Sequence, residues 1–147
     1  MRHASAGARG SGAADLERPL DEEGHEQARR LVEALADSSI ERILTSPALR
    51  CRQTVEPLAA KLGIEIEMVP DLVEGRRAGP VVAMINRLVA AESSAVLSSH
   101  GDMIPLVLEA LSATGVPLAG DKCQKGSIWE LRTADGQIIE GRYLGRP

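Results

Sequence analysis

The sequence predicts an α/β fold, a three-layer α/β/α sandwich with a mainly parallel central sheet and an antiparallel edge. Short apolar segments at 40–45, 64–68 and 95–99 alternate with longer segments whose apolar residues recur every three or four positions. The C-terminal part instead carries two alternating segments, 127–132 and 138–143, that flank an Asp-Gly dipeptide typical of hairpin turns. Strands that alternate with helices favour a parallel sheet, and the hairpin supplies the edge.

The helices are predicted from caps and apolar spacing. Asp21 is expected to cap the first helix, and Ser46 is expected to cap the second, with a proline in its first turn. Gly63 is well placed to end that second helix. Two further helices are predicted, one from about Pro80 and one over 102–111.

Composition limits the class of protein. A chain of 147 residues suits one domain, and a net charge of −4 argues against general affinity for nucleic acid or anionic membrane. No apolar run approaches the roughly 20 residues of a membrane span, so a cytoplasmic location is expected. Cys51 and Cys123 are too few and too far apart for a disulfide framework, and the three histidines show no metal-ligand spacing.

Two charged side chains follow predicted strands at the edge where ligands bind in open α/β sheets. Arg50 lies shortly after the 40–45 strand, and His100 directly follows the 95–99 strand. Arg2 and His3 would fit the end of a strand too, but only Met1 precedes them. We therefore expect residues 1–147 to form a single domain that lacks its first strand.

These four side chains suit phosphoryl transfer. Arg2 and Arg50 each offer a planar fork that can bind two phosphate oxygens. A neutral His3 can attack phosphorus, which gives a phosphohistidine intermediate, while His100 can stabilise the charge that spreads over the phosphoryl oxygens. No metal or cofactor is needed for this chemistry.

The leaving oxygen also needs a proton. Glu74, in the loop after the 64–68 strand, is the first candidate for the acid, and Asp102 is the reserve. Ser5 and Gly101, beside the two histidine segments, complete the predicted substrate-binding set. A serine in a short loop is often only a turn or capping residue, and Glu74 can equally be a carboxylate that faces water.

The chain resembles the histidine phosphatase superfamily, the phosphoglycerate mutase-like enzymes. Arg2-His3-Ala4 resembles the family's RHG or RHA signature, and 46–54 resembles its S-P-x-x-R-A-x-Q-T segment. Ser99-His100-Gly101 is similar to the second histidine motif, Arg18-Pro19-Leu20 to the family's RPL start of a helix, and Leu72-x-Glu74 to the stretch that carries the proton donor. The resemblance implies His3 as the phosphorylated nucleophile and Arg2 and Arg50 as phosphate ligands.

Within the superfamily, the short chain is most similar to small bacterial phosphohistidine phosphatases, which are SixA-like, or to the phosphatase-like domain fused to Nudix hydrolases. The expected function is hydrolysis of phosphohistidine on a protein or of a small phosphomonoester. A phosphate- or phosphoprotein-binding module with impaired catalysis is the alternative, because loss of the first strand would displace Arg2 and His3.

Overall fold

The computed structural model describes residues 1–8 and 13–147 as helices and strands in alternation. The helices are α1 (Ala13–Leu16), α2 (Glu22–Leu35), α3 (Leu49–Leu62), α4 (Ala78–Ala90) and α5 (Met103–Ala113). The strands are β1 (Arg42–Thr45), β2 (Ile66–Met68), β3 (Ala95–Ser98), β4 (Leu118–Ala119), β5 (Ile128–Ala134) and β6 (Gln137–Gly145). A 3₁₀ turn, Pro70–Leu72, precedes the loop before α4.

The strands form two sheets of three. In the first, β1 lies between β2 and β3 and pairs in parallel with both, as predicted. In the second, β6 lies between β4 and β5, pairing in parallel with β4 and antiparallel with β5. Asp135 and Gly136 both adopt positive φ angles, 50° and 70°, at the β5–β6 turn. These angles fit the type I′ hairpin that the Asp-Gly dipeptide predicts.

Helices cover both faces of the first sheet. Side chains alternate along β1, so Ile43 and Leu44 point to opposite faces. Ile43 packs in a core cluster with residues of α2 and α3, whereas Leu44 packs with residues of α4 and α5. The predicted three-layer α/β/α class is confirmed. Across the described residues, no helix combines the length and apolar character that a membrane span requires.

The helix ends agree with the sequence at two places and differ at a third. The Asp21 side chain caps α2 by accepting a hydrogen bond from the Gly24 amide at 2.8 Å. Gly63 ends α3 with a left-handed φ of 69°. The prediction for Ser46 was wrong, because α3 begins at Leu49 and the Ser46 hydroxyl instead contacts the ring of His100.

Residues Met1 to His3 join the two sheets. On one side the His3 amide donates to Ser99 and the Ser99 amide donates to Met1. On the other side the Arg2 amide donates to Ser127.

Directly beside this junction, a groove of about 290 Å³ runs between β3 and β5, lined largely by apolar side chains of both strands and of α4 and α5. The expected absence of a first strand stays a prediction.

Candidate active site

His3, the nucleophile predicted from the sequence, has one ring nitrogen bound to the backbone and the other unprotonated. Its side chain is buried, with 5% of the residue exposed, and its Nδ1 lies 2.8 Å from the carbonyl oxygen of Ala4. A carbonyl only accepts, so Nδ1 carries the proton and Nε2 keeps a lone pair. Burial lowers the pKa of His3 to about 3, and the positive charges of Arg50 and Arg2 act in the same direction. His3 is therefore neutral at physiological pH.

The segment after His3 is fixed by side chains of α2 and α3. The amide of Ala4 donates to the Thr54 hydroxyl at 3.0 Å, and the amide of Ser5 donates to the Gln27 side-chain oxygen at 2.9 Å. The Ser5 hydroxyl donates to the carboxylate of Asp21 at 2.8 Å. Three polar side chains thus hold the backbone that positions the imidazole. The role of Ser5 in binding substrate stays a prediction.

His100 lies beside His3, with 5.5 Å between the two ring centroids. Arg50 Nη2 lies 3.1 Å from His100 Nδ1, and a guanidinium only donates, so Nδ1 accepts. His100 Nε2 then carries the proton and donates to the Ser46 hydroxyl at 2.8 Å. Burial, followed by the charge of Arg50, lowers the pKa of His100 to about 4. This imidazole is also neutral, and it orients the Arg50 guanidinium.

Arg50 lies beside His100 and is held among oxygens, with only 1% of its surface exposed. Its Nη1 donates to the carbonyl oxygen of Asp15 at 2.7 Å. Its Nη2 lies 3.2 Å from a carboxylate oxygen of Asp15 and 3.2 Å from one of Glu74. The two carboxylates occupy donors that a phosphate would use. A phosphoryl group must replace these carboxylates before it can bind Arg50.

Arg2 also belongs to this site. Its Nη1 donates to the carbonyl oxygen of Cys123 at 2.7 Å. Gly101 leaves room for this guanidinium, because a Cβ at that position would lie 2.6 Å from the Arg2 Cζ. Within the described part of the chain, the buried Nε atoms of Arg2 and Arg50 have no hydrogen-bond partner. Buried donors without an acceptor are costly, and because Arg2 lines the open space of the site, its guanidinium fits an anionic ligand.

These side chains border a pocket of about 530 Å³. Of the seven residues predicted from the sequence, five line it, namely Arg2, His3, Glu74, His100 and Gly101. Arg50 lies against the ring of His100 and the carboxylate of Glu74, and Ser5 bonds to Asp21. The reserve acid Asp102 lines the pocket too and accepts a hydrogen bond from the Gly75 amide at 2.7 Å.

Sequence reasoning assigned no role to several residues that shape the site. Thr54 lies in the 46–54 segment that resembles the family, and Gln27 lies on the first predicted helix, but their contacts with the segment after His3 have no local signal in the sequence. Asp15 lies in a short helix next to small residues, and Lys125 lies in an irregular loop.

Among residues 1–8 and 13–147, no three His, Cys, Asp or Glu side chains form a group that could hold a metal ion.

A protein-family model and a curated relative match this chain. The family model described as histidine phosphatase superfamily (branch 1) matches residues 1–80. An 8-oxo-(d)GTP phosphatase of Mycolicibacterium smegmatis is 32% identical over 154 aligned positions that include the whole chain, and the chain spans 47% of that protein's length. The chain therefore corresponds to about half of this relative.

Two solved structures have the same fold. The protein histidine phosphatase SixA in complex with tungstate is 25% identical, with a TM-score of 0.74 over 97% of this chain and 90% of that one. A mycobacterial glucosyl-3-phosphoglycerate phosphatase has a TM-score of 0.69 at 17% identity, over 99% of this chain and 95% of that one, and this second likeness shows the fold alone. The resemblance identified in the sequence is confirmed.

Proposed function

The chain belongs to the histidine phosphatase superfamily (branch 1), and we propose that it is a metal-independent phosphatase that carries the phosphoryl group on His3. The observation that carries the proposal is the neutral His3, whose Nδ1 is committed to the Ala4 carbonyl while Nε2 keeps its lone pair at the pocket. The Arg2 guanidinium, with its unpaired Nε, lines the same pocket and can hold the phosphoryl oxygens.

The reaction proceeds in two displacements. In the first, His3 Nε2 attacks phosphorus and the bond from phosphorus to the leaving atom breaks, so the electron pair goes to that atom, an ester oxygen in a phosphomonoester or a ring nitrogen in phosphohistidine. Glu74, when protonated, gives its proton to a leaving alkoxide. In the second, a water molecule attacks phosphorus, the phosphorus–nitrogen bond breaks and the proton of the water returns to the carboxylate. Inorganic phosphate leaves and His3 is neutral again.

Arg50 and His100 act on the phosphoryl oxygens once the carboxylates move away. A bound dianion competes with Asp15 and Glu74 for the Arg50 donors, and a guanidinium binds a phosphate through two parallel hydrogen bonds. The dianion also favours a protonated His100, which then donates to a phosphoryl oxygen. Both groups stabilise charge that develops in the transition state.

The substrate is phosphohistidine on a protein or a small phosphomonoester, and the protein acts in the cytoplasm. The likeness to SixA favours phosphohistidine, and the likeness to the mycolicibacterial relative favours a small phosphorylated molecule.

We also propose that residues 1–147 act as one domain, in which the groove between β3 and β5 is the place of a further strand. The apolar lining of the groove and the pairing of residues 1–3 at its end support this.

Hydrolysis of p-nitrophenyl phosphate in the presence of EDTA tests the proposed activity. We expect turnover to continue at an unchanged rate when EDTA is added, because every group in the proposed reaction is a side chain. Two outcomes would contradict the proposal: a rate that falls with EDTA and returns with a divalent metal, or tight binding of orthophosphate without turnover. The second outcome would favour the phosphate-binding module.

A further inference from the structure

Lys125 lines the pocket that contains Arg2, His3 and His100, and no catalytic step described above uses it. Within the described residues, no carboxylate lies within ion-pair distance of Lys125, whereas Arg18, another cation of the pocket wall, pairs with Asp15 at 2.9 Å. A lysine ammonium is a point charge with three donors on a flexible stem. Lys125 therefore has hydrogen-bonding capacity available in the wall of the pocket.

The loop that carries Lys125 is fixed to the catalytic segment. Two residues before it, the carbonyl oxygen of Cys123 binds the Arg2 guanidinium at 2.7 Å. One residue after it, the amide of Gly126 donates to the carbonyl oxygen of His3 at 3.0 Å. These two contacts place the backbone of Lys125 next to Arg2 and His3.

Gly126 ties the same loop to α2. Its φ is +75°, and a Cβ there would lie 2.7 Å from the side-chain oxygen of Gln27. Gln27 in turn accepts the amide of Ser5, so the Lys125 loop and the segment after His3 share one anchor. Only glycine allows this close approach together with this backbone conformation.

The positive charge of Lys125 acts on Asp21, another residue of the pocket wall. Burial alone would raise the pKa of Asp21, but hydrogen bonds from Gly24 and Ser5 and the positive charge of Lys125 hold that pKa below its usual value. Asp21 is already occupied by those hydrogen bonds. The pocket volume of about 530 Å³ lies in the range of small-molecule sites. It is larger than the space that one phosphoryl group fills.

We propose that Lys125 binds a second phosphate group of the substrate, so that the pocket takes diphosphates or bisphosphates, with the reacting phosphoryl group on His3 and Arg2. This inference rests on the proposed phosphatase function and names its substrate class as small molecules with two phosphates. Lys125 is a specificity residue, because it contacts the group that does not react.

Calorimetric titration of the full chain carrying His3→Ala tests the inference without turnover. The probes are inorganic orthophosphate and inorganic pyrophosphate, in EDTA at constant ionic strength. We expect pyrophosphate to bind about tenfold more tightly than orthophosphate, the scale of one additional charge-assisted hydrogen bond. Adding Lys125→Gln should reduce that ratio to about twofold or less, and Lys122→Gln, an exposed lysine of the same loop, should leave it unchanged.

The outcomes separate this inference from the proposed function. Orthophosphate binding with no preference for pyrophosphate, or a preference that survives Lys125→Gln, would overturn the role of Lys125 and leave the phosphatase proposal standing. A preference that falls equally in Lys122→Gln would also overturn it, because the effect would then be one of general charge. Failure of both anions to bind would contradict the proposed phosphate site itself, and with it this inference.

Discussion

Replacing His3 with alanine is expected to lower kcat for p-nitrophenyl phosphate by about 10⁴-fold or more, the scale on which enzymes respond to loss of a nucleophile. Among the described residues that line the pocket, His3 is the neutral imidazole with a free ring nitrogen, so its loss removes the group that forms the proposed covalent intermediate. Orthophosphate binding should survive, because Arg2, Arg50 and His100 remain. Steady-state kinetics and a phosphate titration measure the two effects.

His25→Ala is the matched control for that prediction. His25 is exposed on α2 and makes no contact with the pocket, so its removal should change kcat by less than about twofold. Circular dichroism should show both variants folded. Retention of more than a tenth of the wild-type kcat by a folded His3→Ala protein would exclude His3 as the nucleophile.

Replacing Arg50 with lysine is expected to reduce kcat/KM by about 10²- to 10³-fold, as removal of one preorganised donor does in other active sites. Lysine keeps the positive charge among Asp15 and Glu74 but lacks the planar fork that binds two phosphate oxygens at once. It also lacks the geometry that places one donor on His100 Nδ1 at 3.1 Å. The loss should therefore appear in kcat as well as in KM.

Arg52→Lys provides the control on the same helix. The Arg52 side chain is 40% exposed and pairs with Glu56 at 3.0 Å, away from the pocket. Its replacement should leave kcat/KM within about twofold, since surface ion pairs contribute little. Equal losses in the two variants would show that the effect is one of α3 stability rather than of phosphate binding, and thermal unfolding of both variants would measure it directly.

The order of elements was predictable because each element has a local signal. Apolar spacing and caps located α2 and α3, and the Asp-Gly dipeptide located the β5–β6 turn. Ser46 shows the limit of that approach. Its side chain fits a cap in the sequence, but the hydroxyl lies 2.8 Å from His100, a residue 54 positions away that local patterns do not include.

The charged residues of the site could be predicted from the sequence, but the contacts that hold them in place could not. Arg2, His3 and His100 carry uncommon chemistry, and they lie where the ends of strands bring them together. Asp15 contacts Arg50 only because α1 folds over α3, and a four-residue helix among small residues gives no sequence signal. The position of Lys125 depends on backbone contacts of Cys123 and Gly126. Such contacts leave no pattern of side chains in the sequence from which they could be predicted.

Trapping the phosphorylated enzyme is the most direct test of the central claim. The protein is mixed with a ³²P-labelled substrate, quenched in alkali within one turnover, and digested for mass spectrometry. We expect label on His3 that is stable in alkali and lost in acid, with no label on the His3→Ala protein and unchanged label on the His25→Ala protein. Turnover without a labelled enzyme, or label on another residue, would contradict it.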